Sequence, residues 1–172
     1  PATPFASCRT TSSVTPARTR SGVSLGYRSR ILVPTVTGWL FAEWGRLRPT
    51  NSLAAAEARL RTHLNRDRLP LTLVALRGEE CIGTASLRER DLDDGPSVTP
   101  WLSSVFVAPS ERGQGIGSQL VAAAEGRARA LGFDRLYLHT PDRVSLYVRL
   151  GWTKLDNLGA ETIMTKKLAP NL

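Results

Sequence analysis

Residues 111–120 read ERGQGIGSQL, with glycines at 113, 115 and 117 directly ahead of an apolar run and Arg112 beside them. Each glycine inside a helix costs about 1 kcal/mol relative to alanine. Crowding them onto a helix start therefore makes either a turn or a place where something comes close to the backbone. The chemistry on offer there is anion binding. The first turn of a helix has amides without intrahelical partners and lies at the positive end of the peptide dipoles, and a phosphate group takes up both features. Arg112 adds a permanently charged, planar donor. Thirty residues beyond Gly117 stands Tyr147. By itself it reads as a core tyrosine of an amphipathic helix or as a phenol able to give up a proton.

Positioning these groups takes a strand, a turn and a helix. WLSSVFV (101–107) is β-rich and stopped by Pro109. Ile116, Leu120, Val121, Ala124, Ala128 and Leu131 form the core stripe of a helix that ends at Gly132. A strand follows at 136–140, then a short helix at about 143–150 carrying Val144, Tyr147 and Val148, then strands near 152–157 and 161–168. Upstream, Val36, Trp39, Leu40, Trp44 and Leu47 predict a helix over 34–45, closed by Gly45 and Pro49. A second helix is predicted from Ser52 to Arg68, with Leu53, Ala56, Leu60 and Leu64 as its stripe, Asn51 or Ser52 as its cap, and Pro70 beyond it. LTLVALR (71–77) and CIGTASLRE (81–89) read as an antiparallel hairpin, and 91–100 as a loop. The order predicts one mixed α/β (α+β) domain without internal repeats.

Two phosphate-binding patterns fail on residues. A P-loop ends in Gly-Lys-Ser/Thr, and no lysine is present here. The dinucleotide fingerprint needs glycine at 118, where the chain has Ser118, and an acid at the end of the next strand, whereas Asp134 begins it. The remaining match is Arg/Gln-x-x-Gly-x-Gly/Ala, filled by Arg112-Gly113-Gln114-Gly115-Ile116-Gly117. At this point the chain resembles the GNAT acetyltransferase superfamily. SVFVAPSERGQGIGSQLV is similar to that family's strand–loop–helix unit, and DRVSLYVRLGW to its later helix–Gly–aromatic segment. Together they cover about 97–153, and the earlier helices and hairpin fit the family order over about 24–168.

The resemblance implies a mostly antiparallel central sheet with splayed central strands, flanked by about four helices. It implies acetyl-CoA as co-substrate, with the pyrophosphate on the amides of Arg112, Gly113, Gln114, Gly115, Ile116, Gly117 and Ser118. The pantetheine arm falls to Val105, Phe106 and Val107, and Tyr147 takes the place of the general acid that protonates the departing thiolate. The implied reaction is direct acetyl transfer to a primary amine without a metal; the alternative is a GNAT-like module that senses an acyl-CoA without turnover. Thr140 stands where the family often has Asn seven residues before the Tyr. No carboxylate stands on the central strand, which offers Ser103 and Ser104, so His139, Glu89 and Asp91 are the candidates for a base. A lysine-like amine is neutral in only about 1 in 2,500 molecules at pH 7, a cost of about 4.6 kcal/mol, against about 1–1.4 kcal/mol for an α-amine. The absence of an evident base therefore favours a low-pKa amine, on a small molecule or a peptide N-terminus. Trp39, Trp44 and Trp101, with Asp91, Asp93 and Asp94, are the candidates for an acceptor pocket.

Composition bounds the rest. The chain has 172 residues, 41% hydrophobic and 22% charged, enough for one domain with a sizeable core. Its formal charge of +8 is uneven, because residues 1–30 hold five arginines and no acid while the remainder carries 18 basic and 15 acidic residues. No specific nucleic-acid face is expected of such a body, nor a membrane span; a homodimer is left open. Residues 1–23 read as a basic Ser/Thr/Arg-rich extension and 24–172 as the domain. The extension is compatible with a loose tail or an organellar transit segment. Arg outnumbers Lys 20 to 3, which points to a GC-rich genome and a bacterial cytoplasm. Cys8 and Cys81 make neither a disulfide framework nor a zinc spacing, and Cys81 reads as a core residue.

Overall fold

The computed structural model describes residues 17–18, 23–27, 30–45 and 50–169. Its strands are β1 (Ala17–Arg18), β2 (Val23–Tyr27), β3 (Leu71–Arg77), β4 (Glu80–Arg88), β5 (Trp101–Val107), β6 (Arg135–Thr140), β7 (Thr153–Leu158) and β8 (Glu161–Lys167). The helices are α1 (Val33–Glu43), α2 (Leu53–Arg61), α3 (Ile116–Ala130) and α4 (Val144–Arg149). The eight strands form one sheet in the order β1-β2-β3-β4-β5-β6-β8-β7. Every pairing is antiparallel except that of β5 with β6.

Each face of the sheet buries one helical layer. On one side α3 presents Ile116, Leu120, Val121, Ala124 and Ala128 to Leu71, Leu73, Ile82, Leu87, Leu136 and Leu138. On the other, Val36 of α1 and Leu60 of α2 cover Val74 and Cys81. The 3.6-residue period of α3 and the short apolar strand runs thus meet as one core, while Cys81 is a small apolar residue of the cluster under α1 and α2.

Two elements differ from the pattern expected of the sequence. The second helix stops at Arg61 instead of Arg68. Thr62 caps it by donating its hydroxyl to the Arg59 carbonyl (2.6 Å), and the Asn65 amide then ties the Thr62 and Pro70 carbonyls together (2.9 and 2.8 Å). Leu64 leaves the helical stripe and bridges to Leu71, while Leu53 stays half exposed. Side chains that bond nearby backbone compete with the helix, and here they win. The start is as expected, with the Ser52 hydroxyl accepting from the Ala55 amide (3.1 Å). The other difference is β2, whose VSLGY carries little strand signal yet pairs with β3 from Val23 onward. Leu47 and Pro49 at the end of the first helix, and Cys8, lie outside the described residues. Among the described residues no helix is long and apolar enough to cross a membrane.

Candidate active site

β5 leads through a 3-10 turn at Pro109–Glu111 into the glycine stretch. Gly113 and Gly115 have φ of +79° and +77°, backbone that L side chains rarely adopt. Gly115 is the N-cap of α3. The first bond into the helix runs from the Gln119 amide to the Gly115 carbonyl (3.1 Å), so the amides of Ile116, Gly117 and Ser118 lie ahead of the helical ladder. Gly117 is different, being helical and free of positive φ. The helix start sits close on β4 because residue 83 is glycine. A Cβ there would stand 2.9 Å from the Phe106 carbonyl oxygen and 3.0 Å from Leu120 Cδ1.

Side chains brace this turn. Arg77 pairs with Glu111 (2.7 Å) and donates to the Gln114 side-chain oxygen (2.9 Å), turning Gln114 outward. Arg112 donates Nε to the Val107 carbonyl (3.0 Å) and lays its guanidinium over the Phe106 ring, 5.5 Å from the centroid. Trp39 stacks on the same ring at 5.4 Å and Trp44 meets it edge-on at 6.4 Å.

β5 and β6 share a single register pair, Trp101 with Tyr137, and then part. On its other side β5 bulges against β4 between the Thr84–Phe106 and Ser86–Ser103 pairs. Ser104 at the bulge has φ +54°, the one positive φ outside glycine among the described residues. A cleft of about 1260 Å³ opens here. Val105, Phe106, Val107, Arg112, Gly113, Gly115, Ile116, Gly117, Ser118 and Tyr147 all line it, and Gln114 does not. Trp44 also lines it, whereas Trp101 is fully buried and donates its indole N–H to the Val98 carbonyl (2.7 Å). The Thr37 and Ser103 hydroxyls, from lining residues, are buried without a hydrogen-bond partner.

Of the basic candidates, His139 and Asp91 reach the cleft, while Glu89 is exposed outside it, as are Asp93 and Asp94. His139 places Nε2 3.2 Å from Asp91 and Nδ1 2.9 Å from Glu161, and Asp91 also binds Arg88 (2.8 Å). Burial disfavours the imidazolium, but the hydrogen bonds and charges of Asp91 and Glu161 outweigh it and raise the pKa above the usual value. With a carboxylate on each ring nitrogen, His139 holds a proton better than it takes one. Tyr147, 9% exposed, is pushed up to about 12 by burial; Arg143 opposes the shift and Asp142 adds to it. Its phenol therefore stays protonated throughout the neutral range. Thr140 lines the cleft, and its hydroxyl accepts from the Arg143 amide (3.0 Å), fixing the start of α4.

The GNAT acetyltransferase family model matches residues 34–152. The chain belongs to this family. An acetyltransferase of Agrobacterium fabrum is 41% identical over 69 residues, 38% of this chain and 50% of that protein. Mouse N-alpha-acetyltransferase 80 is 36% identical over 92 residues, 50% of this chain and 29% of that one. The chain thus spans half or less of these curated relatives. In fold it is similar to an aminoglycoside 6'-N-acetyltransferase solved with coenzyme A: TM-score 0.66, 16% identity, 86% of this chain and 98% of that one.

The residues of the turn fit the pyrophosphate of acetyl-CoA, the co-substrate that the family resemblance implies. Where Cβ atoms would stand at Gly113 and Gly115 there is no atom within 4 Å, so the turn presents bare backbone to a pyrophosphate. The residues hardest to foresee are Gly83, Glu161 and the Ser104 bulge. Each acts through a partner distant in sequence, and no local pattern announces them.

Proposed function

We propose that this chain is an N-acetyltransferase that moves an acetyl group from acetyl-CoA directly to a primary amine, with Tyr147 as proton donor. The observation that carries this reading is that the unladdered amides of α3 and the protonated Tyr147 belong to one cleft, opened by the parting of β5 and β6. The co-substrate supplies an acyl group activated as a thioester. The amides of Gly113 and of Gly115 to Ser118, with Arg112, hold its pyrophosphate, and Val105, Phe106 and Val107 offer backbone to the pantetheine arm, Val107 sharing its carbonyl with Arg112. The amine nitrogen forms a bond to the acyl carbon, the C–S bond breaks, and the sulfur takes the phenolic proton. The proton shed by nitrogen then restores the phenol. Handing a proton from a phenol near 12 to a thiolate near 8.5 is uphill by about 5 kcal/mol. The transfer therefore accompanies C–S cleavage instead of following it.

The acceptor class is an amine that sheds its proton easily, since His139, the base candidate that reaches the cleft with Asp91, is clamped by two carboxylates. α-Amines of small molecules and of peptides fit this, and the relatives' names add aminoglycosides to the set worth assaying. The test is thiol release from acetyl-CoA with such a panel, beside calorimetric binding of coenzyme A. Tyr147→Phe is expected to lower kcat by about 10²–10⁴-fold with coenzyme A affinity retained. Unchanged turnover in that variant removes the donor role. Binding without thiol release for every amine instead identifies an acyl-CoA sensor, and failure to bind at all overturns the site.

A further inference from the structure

Tyr147 lies in α4, a helix of six residues, too short to hold its own conformation in water. What fixes it comes from elsewhere. At its C-terminal end the Leu150 carbonyl accepts from Lys166 Nζ of β8 (2.7 Å), a cation placed at the negative end of the helix. Lys166 also pairs with Glu125 of α3 (2.7 Å). The second oxygen of Glu125 accepts the indole N–H of Trp152 (3.0 Å). Trp152, 1% exposed, meets the Tyr147 ring edge-on with centroids 5.9 Å apart. The contacts close a circuit from Tyr147 through Trp152, Glu125 and Lys166 back to the end of its own helix.

Such a pair is poorly explained by stability. Glu125 is 8% exposed and the Lys166 side chain 25%. Desolvating two charges offsets most of their attraction, and apolar replacements of similar volume are often neutral or stabilising. The circuit does, however, fix where one ring stands. We propose that Glu125 and Lys166 are positioning residues for Tyr147, setting the place of its phenol in the cleft. This rests on the reading of Tyr147 as proton donor. Neither residue touches the substrates; both act through Trp152 and the α4 terminus.

Glu125→Leu or Lys166→Met alone strands a partly buried charge and risks misfolding. The combined Glu125→Leu/Lys166→Met variant removes both charges together and keeps the core filled. With the Trp152 indole N–H left without its acceptor, it is expected to unfold about 2–12 °C below the unaltered protein and to bind coenzyme A within about threefold. Its kcat with acetyl-CoA and the best amine of the panel should fall about 10–100-fold, the order set by an ångström-scale misplacement. A structural role alone would not produce the second signature: in a Tyr147→Phe background the same pair of changes should lower kcat by less than about twofold. Lys166→Arg, which keeps the charge and a donor to Leu150, should recover most of the loss. Full turnover by the combined variant overturns the proposal, and so do losses that multiply in the Tyr147→Phe background. If Tyr147→Phe itself turns over normally, the donor reading fails first, which the single variant reports separately.

Discussion

Three glycines stand in the turn ahead of α3, and the structure gives them different reasons to be glycine. Replacing Gly115 by alanine forces an L side chain to φ +77°, a cost of about 1–2 kcal/mol. Replacing Gly117 by alanine meets no such cost. Its Cβ would lie 3.7 Å from Val107 Cγ2, ordinary contact, and the helix gains about 1 kcal/mol in propensity. The two variants should therefore move stability in opposite directions, about 2–3 kcal/mol apart. For a domain of this size that is a separation of roughly 4–12 °C in Tm, at about 2–4 °C per kcal/mol. Thermal unfolding of the free protein measures it. Saturating coenzyme A at 100 times Kd adds about 2.7 kcal/mol to the unaltered protein. Gly117→Ala should keep most of that increment, whereas Gly115→Ala, which re-aims the helix amides, should lose much of it. Equal stability changes of one sign in the two variants would refute the account, because the positive φ would then not be what demands glycine.

Gly83→Ala should destabilise the protein by about 1–3 kcal/mol through overpacking against the Phe106 carbonyl and Leu120. By pushing α3 from β5 it should also raise the Kd for coenzyme A, which titration calorimetry reads. His139 has a raised folded-state pKa, so its stabilisation is present in full below the unfolded value near 6.5 and is lost as pH rises through the folded one. His139→Gln should therefore lower Tm more at pH 5.5 than at pH 8.5, and a deficit independent of pH would contradict the pairing with Asp91 and Glu161. Arg88 is the other charged group in that cluster.

The parts of the fold legible in the sequence were those with a local cause. The α3 stripe has a clear period, Pro109 and Gly132 punctuate its surroundings, and β5 matches its apolar run to the residue. The end of α2 was hidden because Thr62 and Asn65 stop it through hydrogen bonds that no apolar period encodes. β2 was hidden because its place is set by backbone pairing with β1 and β3, which its short VSLGY run does not announce in side-chain pattern. In the site, the glycines and Tyr147 are visible because their chemistry is tied to residue type. Glu125, Lys166 and Trp152 belong to three separate elements, and only folding makes them neighbours.

The lone pairing between Trp101 and Tyr137 divides the sheet into two plates, β1 to β5 and β6 to β8, that share one seam. α3 is the strap across it, since its apolar stripe rests on strands of both plates. A molecule lodged in the gap joins edges that the backbone leaves apart. The two plates are thus held together by one strand pairing and one helix, and the cleft lies where the backbone joins them least.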